Sequence, residues 1–326
     1  MSVQSRALVL QQTVARSLIA RGLLALIGTV AVVMLPFVSN EYLLHVATLI
    51  LIYLPLAFGQ NLITGNSGQV SMGHAAFYGT GAYIAAVLSV YYGLPAPIIL
   101  LIALVALGLL GLLVGLPAIR VSGDYLFIVT IGINLVFLDI ATQWVPVTGG
   151  PSGLPGVPIP TIGPFVIGDY TSFYFFALVV AASAMMLVLL IVRSRFGLII
   201  QAIRDDPIAA QASGMTLTTT RVAVFVVGAA IAGLSGVLYA YFTGFVGPQD
   251  FGIPQSLLIF EMVILGGLGS VPGSIVGTIL MVGTPEIFRP LQPYQLGLGG
   301  LVILVFMVWR PQGILGRVKV ANLIKV

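Results

Sequence analysis

The sequence predicts an all-α polytopic membrane protein of about ten transmembrane helices, with Gly-broken segments and a candidate inverted repeat. Three observations carry this prediction. Charged residues number only 22 of 326, 13 Lys+Arg and 9 Asp+Glu, where a soluble chain of this length holds roughly 80. Hydrophobic residues make up 59% and mean hydropathy is +1.14, enough for roughly nine or ten spans at about 20 apolar residues each. The apolar stretches are continuous and lack the ten-residue alternation of a transmembrane β-barrel.

So few charges cannot cover a water-soluble surface of this size. A soluble enzyme, a nucleic-acid partner and a secreted disulfide scaffold are therefore excluded. There is no cysteine, hence no disulfide, Fe–S cluster or thiolate chemistry. Two histidines, His45 and His74, do not make a His-rich metal site, so neither a metal nor a cofactor is expected. The pI of 9.4 reads as orientation bias rather than as affinity for an anion.

Apolar runs bounded by charge or by Gly, Pro and Asn clusters place the spans at about 22–39, 42–60, 74–91, 97–117, 124–143, 171–192, 222–243, 255–268, 274–288 and 295–309. The first run follows Arg6, Arg16 and Arg21. It is read as a retained helix rather than a signal peptide, because no small-x-small cleavage site follows. With ten spans and a cytoplasmic N-terminus, the inner segments hold Arg6, Arg16, Arg21, Arg120, Arg193, Arg195, Arg204, Arg221, Arg310, Arg317, Lys319 and Lys325. The outer segments hold only Arg289. This bias predicts both ends in the cytoplasm. The chain is then one membrane domain, 1–326, with an external loop over 144–170 and a cytoplasmic loop over 193–221.

Two glycine clusters interrupt apolar stretches in a similar way. Gly65-Asn-Ser-Gly68 is followed by Gly73, and Gly266-Gly-Leu-Gly269 by Gly273. If spans two to five correspond to spans seven to ten, the offset of five inverts one half relative to the other, a plan common among transporters.

The first cluster lies in a segment rich in polar side chains: Gln60, Asn61, Asn66, Ser67, Gln69 and Ser71. Irregular backbone at membrane depth needs protein or a water-filled cavity to satisfy its polar groups. Asn66, Ser67, Gly68, Ser71 and Gly73 are therefore candidates for the translocation path; the alternative is a plain cytoplasmic turn. Of the acids near spans, Asp124 reads as a helix N-cap. Asp139 and Glu261 have no intramembrane Lys or Arg to pair with, and they leave proton coupling open. His74 reads as a packed or capping residue, with proton carriage as the alternative.

The inner loop reads as two short helices. The first covers about Gly197–Arg204. The second has Asp206 as cap, Pro207 at the first helical position and Gly214 as stop. Its small face (Ala209, Ala210 and Ala212), flanked by Arg204, Asp205 and Asp206, suits docking into a groove on another protein; a solvated helix is the alternative. No G-x-x-x-x-G-K-[ST] run exists, so nucleotide energy would have to come from a separate subunit.

Ala209-Ala210-x-x-x-Gly214 resembles the coupling motif of ABC importer permeases, Glu-Ala-Ala-x-x-x-Gly, with Ile208 at the Glu position. Further runs occur in order: Gly68-Gln-Val-Ser-Met-Gly-His-Ala-Ala-Phe77, Gly123-Asp-Tyr-Leu-Phe-Ile-Val-Thr130, Thr148-Gly-Gly-Pro-Ser-Gly-Leu154, Ala202-Ile-Arg-Asp205 and Ala232-Gly-Leu-Ser-Gly-Val-Leu-Tyr239. Over roughly residues 40–310 the chain resembles the permeases of branched-chain amino acid (leucine–isoleucine–valine) ABC importers, most of all the longer of that family's two permease subunits. The resemblance implies a non-catalytic subunit of the bacterial or archaeal inner membrane. It also implies a second permease, two cytoplasmic ATPases and an external solute-binding protein. The same family carries urea, short amides and other amino acids. An ion-gradient-driven transporter of a small polar solute is the alternative from the residues themselves.

Overall fold

A computed structural model describes residues 28, 30–120, 124–288, 290, 294–310 and 312–316. Arg6, Arg16, Arg21, Arg289, Arg317, Lys319 and Lys325 of the charge argument lie outside the described residues, as do the side chains of Arg120 and Asp124.

The chain divides into two compact units, Met1–His45 and Val46–Val326. In the first, residues 30–38 are helical. Asn40 then starts the next helix, its Oδ1 accepting from Leu43 N–H at 2.9 Å, which satisfies one of the donors a helix start leaves unpaired.

That next helix, α1 (Glu41–Gln60), runs on into a wide π-helical turn, Asn61–Asn66. Residues 67–73 are not helical, and α2 (His74–Tyr92) follows. Then come α3 (Ala96–Arg120), α4 (Asp124–Gln143), α5 (Tyr170–Arg193), α6 (Arg195–Asp205), α7 (Pro207–Ala212) and α8 (Leu217–Thr243). The last helices are α9 (Ile253–Gly266), α10 (Val271–Thr278) and α11 (Gln295–Trp309). A second π turn, Ile279–Gly283, extends α10 towards Ile287.

Among the described residues, five helical stretches are long and apolar enough to cross a membrane: Glu41–Asn66, Ala96–Pro117, Tyr125–Gln143, Tyr170–Arg193 and Leu217–Thr243. Helix α8 is the most enclosed of the five. It packs against α2 and α3 through small residues, which let backbones approach where lipid offers no hydrophobic drive to association. A Cβ at Gly81 would strike the Gly233 backbone, and one at Gly236 would strike the Tyr78 carbonyl and Ala82. Beside this contact sits an aromatic cluster: Tyr78 lies 5.2 Å from Phe251 and 5.4 Å from Tyr239, ring centre to ring centre.

The segment after α4 is an ordered irregular loop that also contains two small sheets, which its Pro and Gly content did not foretell. Leu154–Pro155 pairs antiparallel with Phe245–Val246, joining the loop to the exit of α8, and Thr161–Ile162 pairs with Phe165–Val166. The loop ends at Asp169, which caps α5. Its Oδ2 accepts from Ser172 N–H at 3.0 Å, and the Ser172 hydroxyl donates to Oδ1. These bonds hold the Asp169 carboxyl below its ordinary value, the hydroxyl first.

Candidate translocation and coupling site

The π turn and the extended stretch after it have backbone groups that no regular helix can serve. The local structure supplies several of them with partners. Ser67 N–H donates to Leu62 carbonyl at 3.2 Å and Gln69 N–H to Ile63 carbonyl at 3.1 Å. Met72 N–H donates to Thr130 Oγ1 at 2.9 Å, and Ala75 N–H to Ser256 Oγ at 3.2 Å. Gln60 Nε2 donates to Ser71 carbonyl at 2.8 Å and to Thr64 Oγ1 at 2.9 Å. Ser67 Oγ also donates to the Ile63 carbonyl at 2.9 Å; leaving a buried group unpaired costs about 1–3 kcal/mol, so Gln60 and Ser67 are explained by the segment's own backbone.

This alters the reading of the path candidates. Asn66, Ser67 and Ser71 are 2%, 4% and 0% exposed; Gly73 is buried and Gly68 is exposed. Asn66, Ser67, Ser71 and Gly73 are thus enclosed within this chain, with Gly68 at its surface. Two polar atoms remain unspent: Gln60 Oε1 and Asn66 Nδ2 have no hydrogen-bond partner among the described residues.

The two glycine breaks meet at Asn61. Its Oδ1 accepts from Gly269 N–H at 2.8 Å. Its Nδ2 donates to Ser270 carbonyl at 3.0 Å and to Ser274 Oγ at 2.8 Å. Asn61 is 2% exposed, so all three bonds are dry. The sequence offered both glycine runs and the polarity of Asn61, but the pairing of residues more than 200 positions apart has no local signal.

The inner loop abuts the same place. Ser194 caps α6, its Oγ accepting from Gly197 N–H at 3.3 Å, and Gly197, Ile200 and Ile203 are buried. This seats one face of α6 on the chain and carries Arg204 inward. Arg204 Nη1 donates to the Gly65 carbonyl inside the π turn. Its Cγ and Nη1 lie 3.0 and 3.1 Å from where a Cβ would stand on Gly68 and Gly269. Both glycines have positive φ, +71° and +78°.

Asp205 is exposed. Asp206 caps α7, its Oδ1 accepting from Ile208 and Ala209 N–H at 2.9 and 3.0 Å. Gly214, at φ +81°, ends the unit, and Met215 N–H returns to Ala210 carbonyl at 3.1 Å. Ala210 is buried against its own chain, whereas Ile208, Ala209, Gln211 and Ala212 face outward. The outward small face is thus Ala209 with Ala212, and Ala210 supports α7 from beneath.

The other candidates lie apart from this junction. Asp139 is on the exposed face of α4 and accepts from Gln143 Nε2 at 2.8 Å. Glu261 is buried on α9 against Gly299 of α11, neither oxygen having a hydrogen-bond partner among the described residues. His74 is buried, its ring edge-on to Phe77 at 5.6 Å. Among the described residues no group of His, Cys, Asp and Glu could hold a metal.

A helical membrane protein with joined helix breaks and a short capped-helix loop beneath them belongs to the class of membrane permeases. More particularly, residues 42–309 match the family described as branched-chain amino acid transport system / permease component, and the chain belongs to that family. Its members are permease components, not catalysts. The chain is 34% identical over 304 residues to the high-affinity branched-chain amino acid transport system permease protein LivM of Escherichia coli, covering 86% of this chain and 71% of that one. It is 28% identical over 238 residues to the probable branched-chain amino acid transport permease protein LivM of Methanocaldococcus jannaschii, covering 67% and 68%. A 131-residue match at 33% identity to Escherichia coli LivH covers 39% and 42%. No solved structure matches.

Proposed function

We propose that this chain is the membrane subunit of an ATP-driven importer of branched-chain or related amino acids, working with a second permease like LivH, two cytoplasmic ATPases and an external solute-binding protein. It crosses the inner membrane ten times with both ends in the cytoplasm. The halves are inverted repeats whose glycine breaks, at Gly65–Gly68 and Gly266–Gly269, come together at the junction. Asn66, Ser67, Gly68, Ser71 and Gly73 form a gate on the translocation path, shut in this arrangement. Helix α7, from Pro207 through Ala209 to Gly214, docks on the ATPase with Asp205 and Asp206 at its rim.

The observation that carries this reading is the loop of α6 and α7: two short, individually capped helices, the first of which reaches the helix break through Arg204. Asp139 is bonded to Gln143 on its own helix and Glu261 packs against Gly299.

The test is co-purification. The tagged chain, extracted in mild detergent, retains its ATPases, and Ala209→Asp, which puts a charge on the outward face of α7, loses them. In the same cysteine-free chain, Ser152→Cys labels from outside intact cells and Thr218→Cys only from inside. Full retention of the ATPases by Ala209→Asp removes the docking role, and outside labelling at both positions removes the ten-span topology.

A further inference from the structure

Resting on the docking reading above, we infer that Arg204 is the positioning residue that transmits loop movement to the gate, acting as a pin between the two glycine breaks rather than as part of the ATPase contact surface. Four observations place it there. Its guanidinium bonds a backbone carbonyl, Gly65, within the π turn. Its stem fills the space beside Gly68, and its Nη1 fills that beside Gly269. Asn61 ties the two breaks to each other, so one side chain engages both. The helix that carries it is anchored by Ile200 and Ile203 and continues through Asp206 directly into α7.

The chemistry suits a release device. A π turn leaves carbonyls poorly served by the helix ladder, and the half-buried guanidinium supplies a charge-assisted donor to one of them, Gly65. The hydrogen bond is directional and fades steeply with distance and misalignment. A rigid shift of α6 and α7 of an ångström or two therefore breaks it. The same shift withdraws the stem from Gly68 and Gly269, the two positions whose left-handed backbone and missing side chains make room for it. The breaks are then free to re-form their bonds in an open arrangement. Lysine in place of arginine keeps a cationic donor at a similar reach but lacks the planar fork.

The test has two arms, both on the complex assembled with its ATPases and second permease. In the first, an added Cβ at Gly68 stands 3.6 Å from Arg204 Cβ, within the ~3.5–4.5 Å that a disulfide requires. The pair Gly68→Cys with Arg204→Cys, in a chain with no other cysteine, cross-links readily under mild oxidant without nucleotide. Cross-linking slows by about fivefold or more in the ATP-trapped complex, where separation defeats the required geometry. In the second, Arg204→Ala keeps the ATPases bound and hydrolysing ATP, while solute imported per ATP falls about tenfold, within the usual range of a coupling free energy; Arg204→Lys restores most of it. Equal cross-linking rates in both nucleotide states, or an unchanged import-to-hydrolysis ratio in Arg204→Ala, overturns the pin. Loss of the docking reading shows separately, as ATPases that stay bound to Ala209→Asp.

Discussion

Replacing Asn61 with Leu keeps the branched shape and the number of side-chain heavy atoms and deletes all three bonds that join the two breaks. Interhelical hydrogen bonds in membrane proteins average about 0.6 kcal/mol and reach about 1.7, so three give about 2 kcal/mol, with an upper limit near 5. The survivors then narrow the range. Ser274 Oγ already donates to the Ser270 carbonyl at 3.3 Å and can turn fully to it. Gly269 N–H is left buried and unpaired, at about 1–3 kcal/mol. The expected loss is about 2–4 kcal/mol, read as the shift in unfolding free energy when the purified protein is titrated with denaturing detergent. Thr80→Val is the control, since the Thr80 hydroxyl bonds only the Ala76 carbonyl of its own helix, at 2.7 Å; it should change stability by about 0.5 kcal/mol or less. If Asn61→Leu is no more destabilising than Thr80→Val, the two breaks are not held together as described.

Other substitutions test other parts of the account by the same titration or by helix-resolved hydrogen exchange. Gly214→Ala should cost about 1 kcal/mol from its positive φ alone, because nothing stands within 4 Å of an added Cβ; a much larger loss would mean that the space is filled. Asp206→Ala should loosen α7 by about 1 kcal/mol through loss of its cap, seen as faster exchange at Ile208 and Ala209. Gly236→Val should prevent compact folding, since its Cβ alone already meets the Tyr78 backbone, and monodisperse protein would contradict that packing. Asp169 has a lowered value in the folded chain, so its cap is intact above the ordinary aspartate value and is lost as pH falls through the lower folded one. Exchange at the start of α5 should rise on that acid side, and Asp169→Asn should remove the pH dependence.

The sequence made the membrane class and the helix breaks legible because both are local. Twenty-odd apolar residues in a row, or Gly-Asn-Ser-Gly beside them, announce themselves within one window. The same holds for Asp206-Pro207 and Gly214, where cap and stop chemistry mark α7 from both ends. What the sequence could not show was direction. Nothing in Ala-Ile-Arg204-Asp says that the arginine turns inward while the next two aspartates stay exposed; that follows from Ile200 and Ile203 seating α6. Nor could Ala209 and Ala210 be told apart until the fold buried one and exposed the other. The polarity of Ser67 and Ser71 was equally two-valued, since the same atoms serve either a wet path or an unpaired backbone.

The proposed function is that this chain passes branched-chain or related amino acids inward at the expense of ATP. The most direct measurement is uptake of labelled leucine by proteoliposomes holding the complete complex, with binding protein on the side facing the 144–170 loop and ATP on the side facing α7. The account predicts accumulation that requires ATP hydrolysis, persists when ionophores collapse every ion gradient, and is lost in Ala209→Asp. Leucine accumulation without ATP, driven by a proton or sodium gradient, would contradict it.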